Sequence, residues 1–348
     1  MSILALARPD ILSLKAYSHA SWDPAFERLH ANELPWRAET DRSVAGLNRY
    51  PEPHPHVLAQ RLATLYGVSD AQLLPGRGSD ESIDLLVRGF CRAGVDNVVI
   101  CPPTFGMYAV AARIQGAEVR EVPLLPGRGF ALDTESVLAA CDANTKIVFL
   151  CSPNNPTGNA MEPAAIEQLL VTLANRSLVV VDEAYLEFSG DASLTSALSR
   201  HPNLVVLRTL SKAFGLAGAR VGSLIAASEI VALLAKVIPP YSIPQLTIEA
   251  VLATLEGPQL AIQRERVVQI RAERERLRIA LASCRLVQKI WPSVANFLLV
   301  DFTDVERVLG AARAAKLLIR DMRNVSPQSL RISVGSPEQN DRLIRSIP

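Results

Sequence analysis

Short, near-continuously apolar runs recur at Asn97–Cys101, Lys146–Cys151, Leu178–Asp182, Leu204–Arg208 and Val221–Ala226. Runs of this length without polar alternation predict strands buried on both faces. Between them the period lengthens. Asp80–Arg92 sets Ile83, Leu86, Val87 and Phe90 at helical spacing, and Pro163–Ala174 opens with proline at a first-turn position. Strand alternating with helix predicts an α/β fold with a mostly parallel sheet covered on both faces.

The pattern changes near residue 245. Pro258–Ser283 predicts a long amphipathic helix rich in Arg and Glu. A strand at Asn296–Phe302, a helix at Val305–Ala315, strands around Leu317–Arg320 and at Leu330–Val334, and a final helix from Pro337 follow. This order predicts a smaller α+β domain. The expected division is an N-terminal arm over 1–40 joining the small domain, a large domain over 41–245 and a small C-terminal domain over 246–348. The arm has little periodicity and carries Trp22 and Trp36, which suits a segment packed on another surface.

Composition narrows the class. Of 348 residues, 49% are hydrophobic and 20% charged, which allows a sizeable core and excludes wholesale disorder. The net charge of +1 provides no global field toward nucleic acid or a lipid surface, so any anion site must be local. Five cysteines without a C-x-x-C pair argue against a disulfide framework and fit a reducing compartment. The apolar stretch at the start is too short for a signal peptide, and no run reaches the ~20 residues of a membrane helix. The expectation is a soluble cytoplasmic protein with no membrane or nucleic-acid partner and no metal.

Four segments carry candidate chemistry. Gly76-Arg77-Gly78-Ser79-Asp80-Glu81 combines turn glycines with a helix start, where Ser79 or Asp80 can cap and free N–H groups suit phosphate; the plain alternative is an ordinary capped helix. The segment lacks the third glycine of a dinucleotide fingerprint. Ser152-Pro153-Asn154-Asn155-Pro156-Thr157-Gly158 follows a strand directly, at the end where ligands bind in such sheets, although these residues also make plain turns. Val179-Val180-Val181-Asp182-Glu183-Ala184-Tyr185 ends a buried strand on an acid, for which a cationic partner is expected. Thr209-Leu210-Ser211-Lys212 follows another strand. Of six lysines, Lys212 is the one set just after a buried strand, among small residues and near Arg220. Burial and neighbouring cations would lower its pKa and leave a nucleophilic amine; the commoner fate of a single lysine is a surface loop.

The order decides: strand and amide, strand and acid, strand and lysine, then Arg220. The constellation resembles the aspartate-aminotransferase superfamily, the fold-type-I pyridoxal 5′-phosphate (PLP) enzymes, over about Ala31 to Gly335. That resemblance implies a large, mostly parallel seven-stranded-type PLP-transferase sheet with the smaller domain and arm. It implies that Lys212 carries the cofactor and moves protons, and that Asp182 pairs with the pyridinium nitrogen. Asn155 and Tyr185 would hydrogen-bond the ring 3′-oxygen, and Phe105 would stack on the ring where relatives often have Tyr. Ser79, Asp80, Ser211 and Arg220 would hold the phosphate, with Tyr50 reaching the neighbouring subunit's phosphate in a homodimer with shared sites.

Leu29-His30-Ala31-Asn32-Glu33-Leu34-Pro35, Asn48-Arg49-Tyr50-Pro51, Arg77-Gly78-Ser79-Asp80-Glu81, Pro102-Pro103-Thr104-Phe105-Gly106-Met107-Tyr108, Ile319-Arg320-Asp321-Met322 and Leu330-Arg331-Ile332-Ser333-Val334-Gly335 bring a finer resemblance, to the histidinol-phosphate aminotransferases. It implies transfer from L-histidinol phosphate to 2-oxoglutarate in histidine biosynthesis. Arg331 would take the glutamate carboxylate or the histidinol phosphate group, Arg320 and Tyr17 would complete the anion pocket, and Asn32 would line the substrate site. Threonine-phosphate decarboxylases and aromatic aminotransferases share the scaffold and remain alternatives. A nicotinamide dehydrogenase would need the missing glycine fingerprint. A non-enzymatic binding module of the PLP fold usually carries a DNA-binding segment, for which this near-neutral chain has no room.

Overall fold

The computed structural model describes residues 2–23 and 25–347. Its larger sheet contains β1 (Leu73–Gly76), β2 (Asn97–Ile100), β3 (Glu118–Glu121), β4 (Thr145–Cys151), β5 (Leu178–Asp182), β6 (Leu204–Thr209) and β7 (Gly222–Ala226). Seven strands lie in the order β1-β7-β6-β5-β4-β2-β3. Strands β2 to β6 pair in parallel, while β7 runs antiparallel to both β6 and β1.

The strand β5 shows why the run reads as buried on both faces. Val179 and Val181 join one apolar cluster, and Leu178 and Val180 join another. Alternate side chains point to opposite faces, so each face needs its own helical cover. All four are 0% exposed, and each burial is worth about 1.5–3 kcal/mol. The cover comes from α1 (Pro9–Leu12), α2 (His56–Tyr66), α3 (Ser79–Phe90), α4 (Met107–Gln115), α5 (Thr134–Ala140), α6 (Pro163–Thr172), α7 (Leu186–Ser189), α8 (Ser228–Leu234) and α9 (Gln245–Thr254).

The long α10 (Gly257–Ala282) leads to β8 (Val287–Ile290), β9 (Phe297–Phe302), α11 (Val305–Ala314), β10 (Arg320–Asp321), β11 (Ser329–Ser333) and α12 (Pro337–Ser346). Their sheet has the order β10-β11-β9-β8, and its pairs are antiparallel. Among the described residues no helix is long and apolar enough to cross a membrane.

Three strands escape the sequence pattern. β1 contains Pro75 and Gly76, which read as a turn; as an edge strand it tolerates a missing N–H. β3 and β8 are also edges, and their exposed Glu118, Glu121, Gln288 and Lys289 break the apolar run. The strand expected around Leu317–Arg320 starts only at Arg320, because Lys316 turns the chain through a left-handed φ of 58°.

The arm also departs from expectation. Its first residues pack on the large sheet's helices, not on the small domain. Ile3, Leu6 and Ala7 join the cluster of Leu85, Val98 and Ile230. The 3-10 turn at Ile3–Leu6 sets Ile3 and Leu6 on one side, and Ser2 Oγ donates to Glu229 on α8 at 2.8 Å. Farther along, Tyr17, Phe26, Leu29, Leu34 and Trp36 are exposed.

Candidate active site

The carboxyl ends of β4, β5 and β6 and the first turn of α3 meet in one pocket. It is lined by Lys212, Asp182, Asn155 and Tyr185, with Phe105, Ser79, Asp80, Ser211 and Arg220 around them. Nine of the predicted residues are thereby brought together from segments far apart in sequence.

Asp182 is buried at the end of β5. Its Oδ1 accepts the Ala184 N–H at 3.1 Å and its Oδ2 accepts the Tyr108 hydroxyl at 2.9 Å. Both donors are neutral. Burial therefore dominates and pushes the carboxyl up to about 6. Lys212 opens to solvent through the pocket. Protein still crowds its amine, and desolvation, then Arg331 and Arg220, hold it below its ordinary value. Its Nζ lies 5.7 Å from the centre of the Tyr185 ring.

The opposite wall is built for an anion. Ser79 and Asp80 sit inside the first turn of α3, and the N-cap is Gly78, which makes no side-chain cap. Capping by Ser79 or Asp80 is thus replaced by a glycine with φ 87°, a conformation that costs glycine little. The first-turn N–H groups stay available to an anion. Arg220 Nη1 lies 3.3 Å from Ser211 Oγ, and its Nη2 lies 3.2 Å from Asp80 Oδ2. A Cβ on Gly222 would stand 2.6 Å from the Gly78 carbonyl carbon, so only glycine lets β7 approach this turn.

Arg331 reaches the pocket from β11. Its Nη1 donates to Asn155 Oδ1, and its guanidinium carbon lies 5.3 Å from the Phe297 ring centre. Tyr185 meets the same ring edge-on at 5.2 Å. Arg320 is the cross-strand partner of Arg331 and is exposed. Tyr17, Asn32 and Tyr50 do not line this pocket. Tyr17 and Asn32 are exposed in the arm, Asn32 with φ 57°, and Tyr50 is half exposed, 4.8 Å from the Tyr241 ring.

Cys151 and Thr209 also line the pocket, and Tyr108 stands behind Asp182; sequence reasoning gave none of them a role. For Tyr108 a signal existed. It follows Phe105 by three residues at a helix start, and a buried tyrosine hydroxyl needs a partner.

The family profile "Aminotransferase class I and II" matches residues 27–347. A histidinol-phosphate aminotransferase of Xylella fastidiosa is 47% identical over 356 residues, covering 99% of this chain and 95% of the relative. This chain belongs to the histidinol-phosphate aminotransferase family of class I and II aminotransferases. A family member of the same name from Xanthomonas campestris is 47% identical over 352 residues, covering 99% of this chain and 97% of its own. The crystal structure of histidinol-phosphate aminotransferase from Sinorhizobium meliloti in complex with pyridoxal-5′-phosphate matches with a TM-score of 0.76 at 27% identity, over 87% of this chain and 82% of that one.

The cofactor of this aminotransferase is pyridoxal 5′-phosphate. The pocket fits it on its own chemistry. Asp182 is a buried carboxylate held by neutral donors alone, which suits a protonated ring nitrogen as the missing cation. The free N–H groups of α3, with Ser211 and Arg220, suit a phosphate.

Proposed function

We propose that this aminotransferase moves the amino group of L-histidinol phosphate to 2-oxoglutarate, giving imidazole-acetol phosphate and glutamate in histidine biosynthesis. The observation that carries the reading is the joining of Lys212, Asp182 and Asn155 in one pocket that Arg331 reaches from the other sheet.

Pyridoxal phosphate, when bound, supplies an electrophilic carbon for the amine and a ring that takes up the electron pair released at the substrate carbon. Lys212 Nζ is the amine that would hold it and would carry the proton at the substrate carbon; burial, then Arg331 and Arg220, hold this amine below its ordinary value, which favours its neutral, proton-accepting form. Asp182 would pair with the ring nitrogen and favour its protonated form. Arg331 engages Asn155 Oδ1, which leaves the Asn155 amide N–H, with the Tyr185 hydroxyl, as the donors that would serve the ring 3′-oxygen. Phe105 would cover the ring face. Arg220, Ser211 and the N–H groups of Ser79 and Asp80 would hold the phosphate.

The two substrates present different anions. An arginine fork accepts a carboxylate or a phosphate bidentately. Arg331 takes each in turn, Arg320 and Tyr17 complete that pocket, and Asn32 lines the substrate. The working unit is a homodimer in the cytoplasm. The half-exposed Tyr50 reaches the partner's phosphate, and the exposed apolar side chains of the arm, Leu29 and Trp36 among them, pack on that partner. Residues 41–245 form the large domain and 246–348 the small one.

The test is a half-reaction scan. Holoenzyme is mixed separately with histidinol phosphate, phenylalanine, tyrosine and threonine phosphate while the visible absorbance of the bound cofactor is followed. 2-Oxoglutarate is then added and glutamate is quantified. Histidinol phosphate should react fastest and yield glutamate. Faster reaction with an aromatic amino acid, or carbon dioxide from threonine phosphate, would overturn the reading.

A further inference from the structure

Asp182 owes its orientation to one side chain that no catalytic assignment includes. Tyr108 is 0% exposed, and its hydroxyl donates to Asp182 Oδ2 at 2.9 Å. Its ring lies parallel to Phe149, with centroids 4.9 Å apart and planes 2° apart. It also stands edge-on to Phe105, at 5.7 Å and 83°. A ring clamped on both sides has one orientation, so the hydroxyl is aimed in advance. Burial pushes the Tyr108 hydroxyl far above its ordinary value, which leaves it a permanent donor. A hydrogen bond from a neutral donor favours the carboxylate over the carboxylic acid.

Resting on the reading of Asp182 as partner of the cofactor's ring nitrogen, we propose that Tyr108 is the positioning residue that keeps Asp182 ionised and aimed. It thereby sets the basicity of the bound cofactor. Through Phe105 the same ring also braces the side chain that covers the cofactor's face.

The other titratable neighbours do not substitute for it. Cys151, at the end of β4, donates to the Pro153 carbonyl, and burial raises its thiol. Glu183 is tied to Arg208, and Asp80 to Arg220. Lys212 lines the same pocket but makes no hydrogen bond or ion pair with Asp182 among the described residues. Among the described residues, the side-chain oxygens of Asp182 accept from Tyr108 and the Ala184 N–H alone.

Tyr108→Phe removes the hydroxyl and keeps the ring. Two quantities are read on the holoenzyme: the dissociation constant of pyridoxal phosphate, and the midpoint of the pH titration of its visible absorbance. The constant should rise about tenfold, the size of one hydrogen bond to a charged group. The midpoint should move to higher pH, because a ring nitrogen with less positive charge repels the proton beside Lys212 less. In an Asp182→Asn background both effects of Tyr108→Phe should vanish. Equal losses in the two backgrounds would reduce Tyr108 to packing, and an unmoved midpoint in the single variant would overturn the proposal. If Asp182→Asn alone changes neither quantity, the cofactor role of Asp182 fails first and the role of Tyr108 falls with it.

Discussion

Arg208 Nη1 donates to Glu183 Oε2 at 3.0 Å inside the protein, and this pair ties the strand that ends in Asp182 to the strand that leads to Lys212. A second carboxylate, Glu187, meets Arg208 Nη2 at 2.5 Å. The two carboxylates hold the guanidinium charged despite its burial. Removing one partner of such a pair strands the other. Arg208→Leu is therefore expected to lower the unfolding free energy by about 3–5 kcal/mol, read from chemical denaturation. A loss below 1 kcal/mol would mean that the pair does not hold the strand ends together.

Lys212→Ala should abolish turnover without unfolding the protein. The side chain opens into the pocket, so its loss leaves no core cavity. The expected fall in rate is on the order of 10⁴-fold or more, since one general acid–base group alone is worth up to about that much. Circular dichroism and the thermal midpoint should match the parent. Retained turnover would move the catalytic lysine elsewhere.

Arg331→Ala should harm both half-reactions. On the proposed reading one fork serves both anions, and a hydrogen bond to a charged group is worth about 1.5–3 kcal/mol. The kcat/KM for glutamate and for histidinol phosphate should each fall roughly 10- to 100-fold. Damage to one substrate alone would show that the two anions bind in different places.

Asp182 makes the cofactor-free protein sensitive to pH. Its folded pKa, about 6, lies above its ordinary 3.8, so between roughly pH 4 and pH 6 the folded chain keeps a proton that the unfolded chain has shed. Stability from this group is present at low pH and is lost as pH rises through that window, by roughly 3 kcal/mol in all. Other carboxylates, such as Asp142 and Asp41, are shifted the opposite way, so the contrast must be taken against Asp182→Asn. Relative to that variant, the cofactor-free parent should lose stability between pH 4 and pH 7, measured by denaturant titration at each pH. A constant difference would show that burial leaves Asp182 unperturbed. Adding pyridoxal phosphate should recover the loss by supplying the cation.

Much of this was legible in the chain. Leu178–Asp182 was bounded correctly because Val179, Val180 and Val181 fill both faces of a central strand. Lys212, Asp182 and Asn155 share one pocket, and the sequence points to them because the loops after buried strands are where this sheet type gathers ligands. Edge strands were not legible, because an edge needs neither apolar faces nor every N–H, as Pro75 in β1 and the two glutamates of β3 show. The Gly78 cap was misassigned to its neighbours, since sequence alone does not reveal which residue turns left-handed. Tyr108 was overlooked because its value lies in a contact 74 positions away, which no local pattern encodes.

The anion cradle joins residues 78–80 to residues 211–222, and Gly222 must lie against Gly78 for the two halves to meet. Nearly two-thirds of the polypeptide thus leaves the ribosome before a complete seat for the cofactor can exist. On the proposed phosphate site, loading would wait until β7 has slotted between β1 and β6.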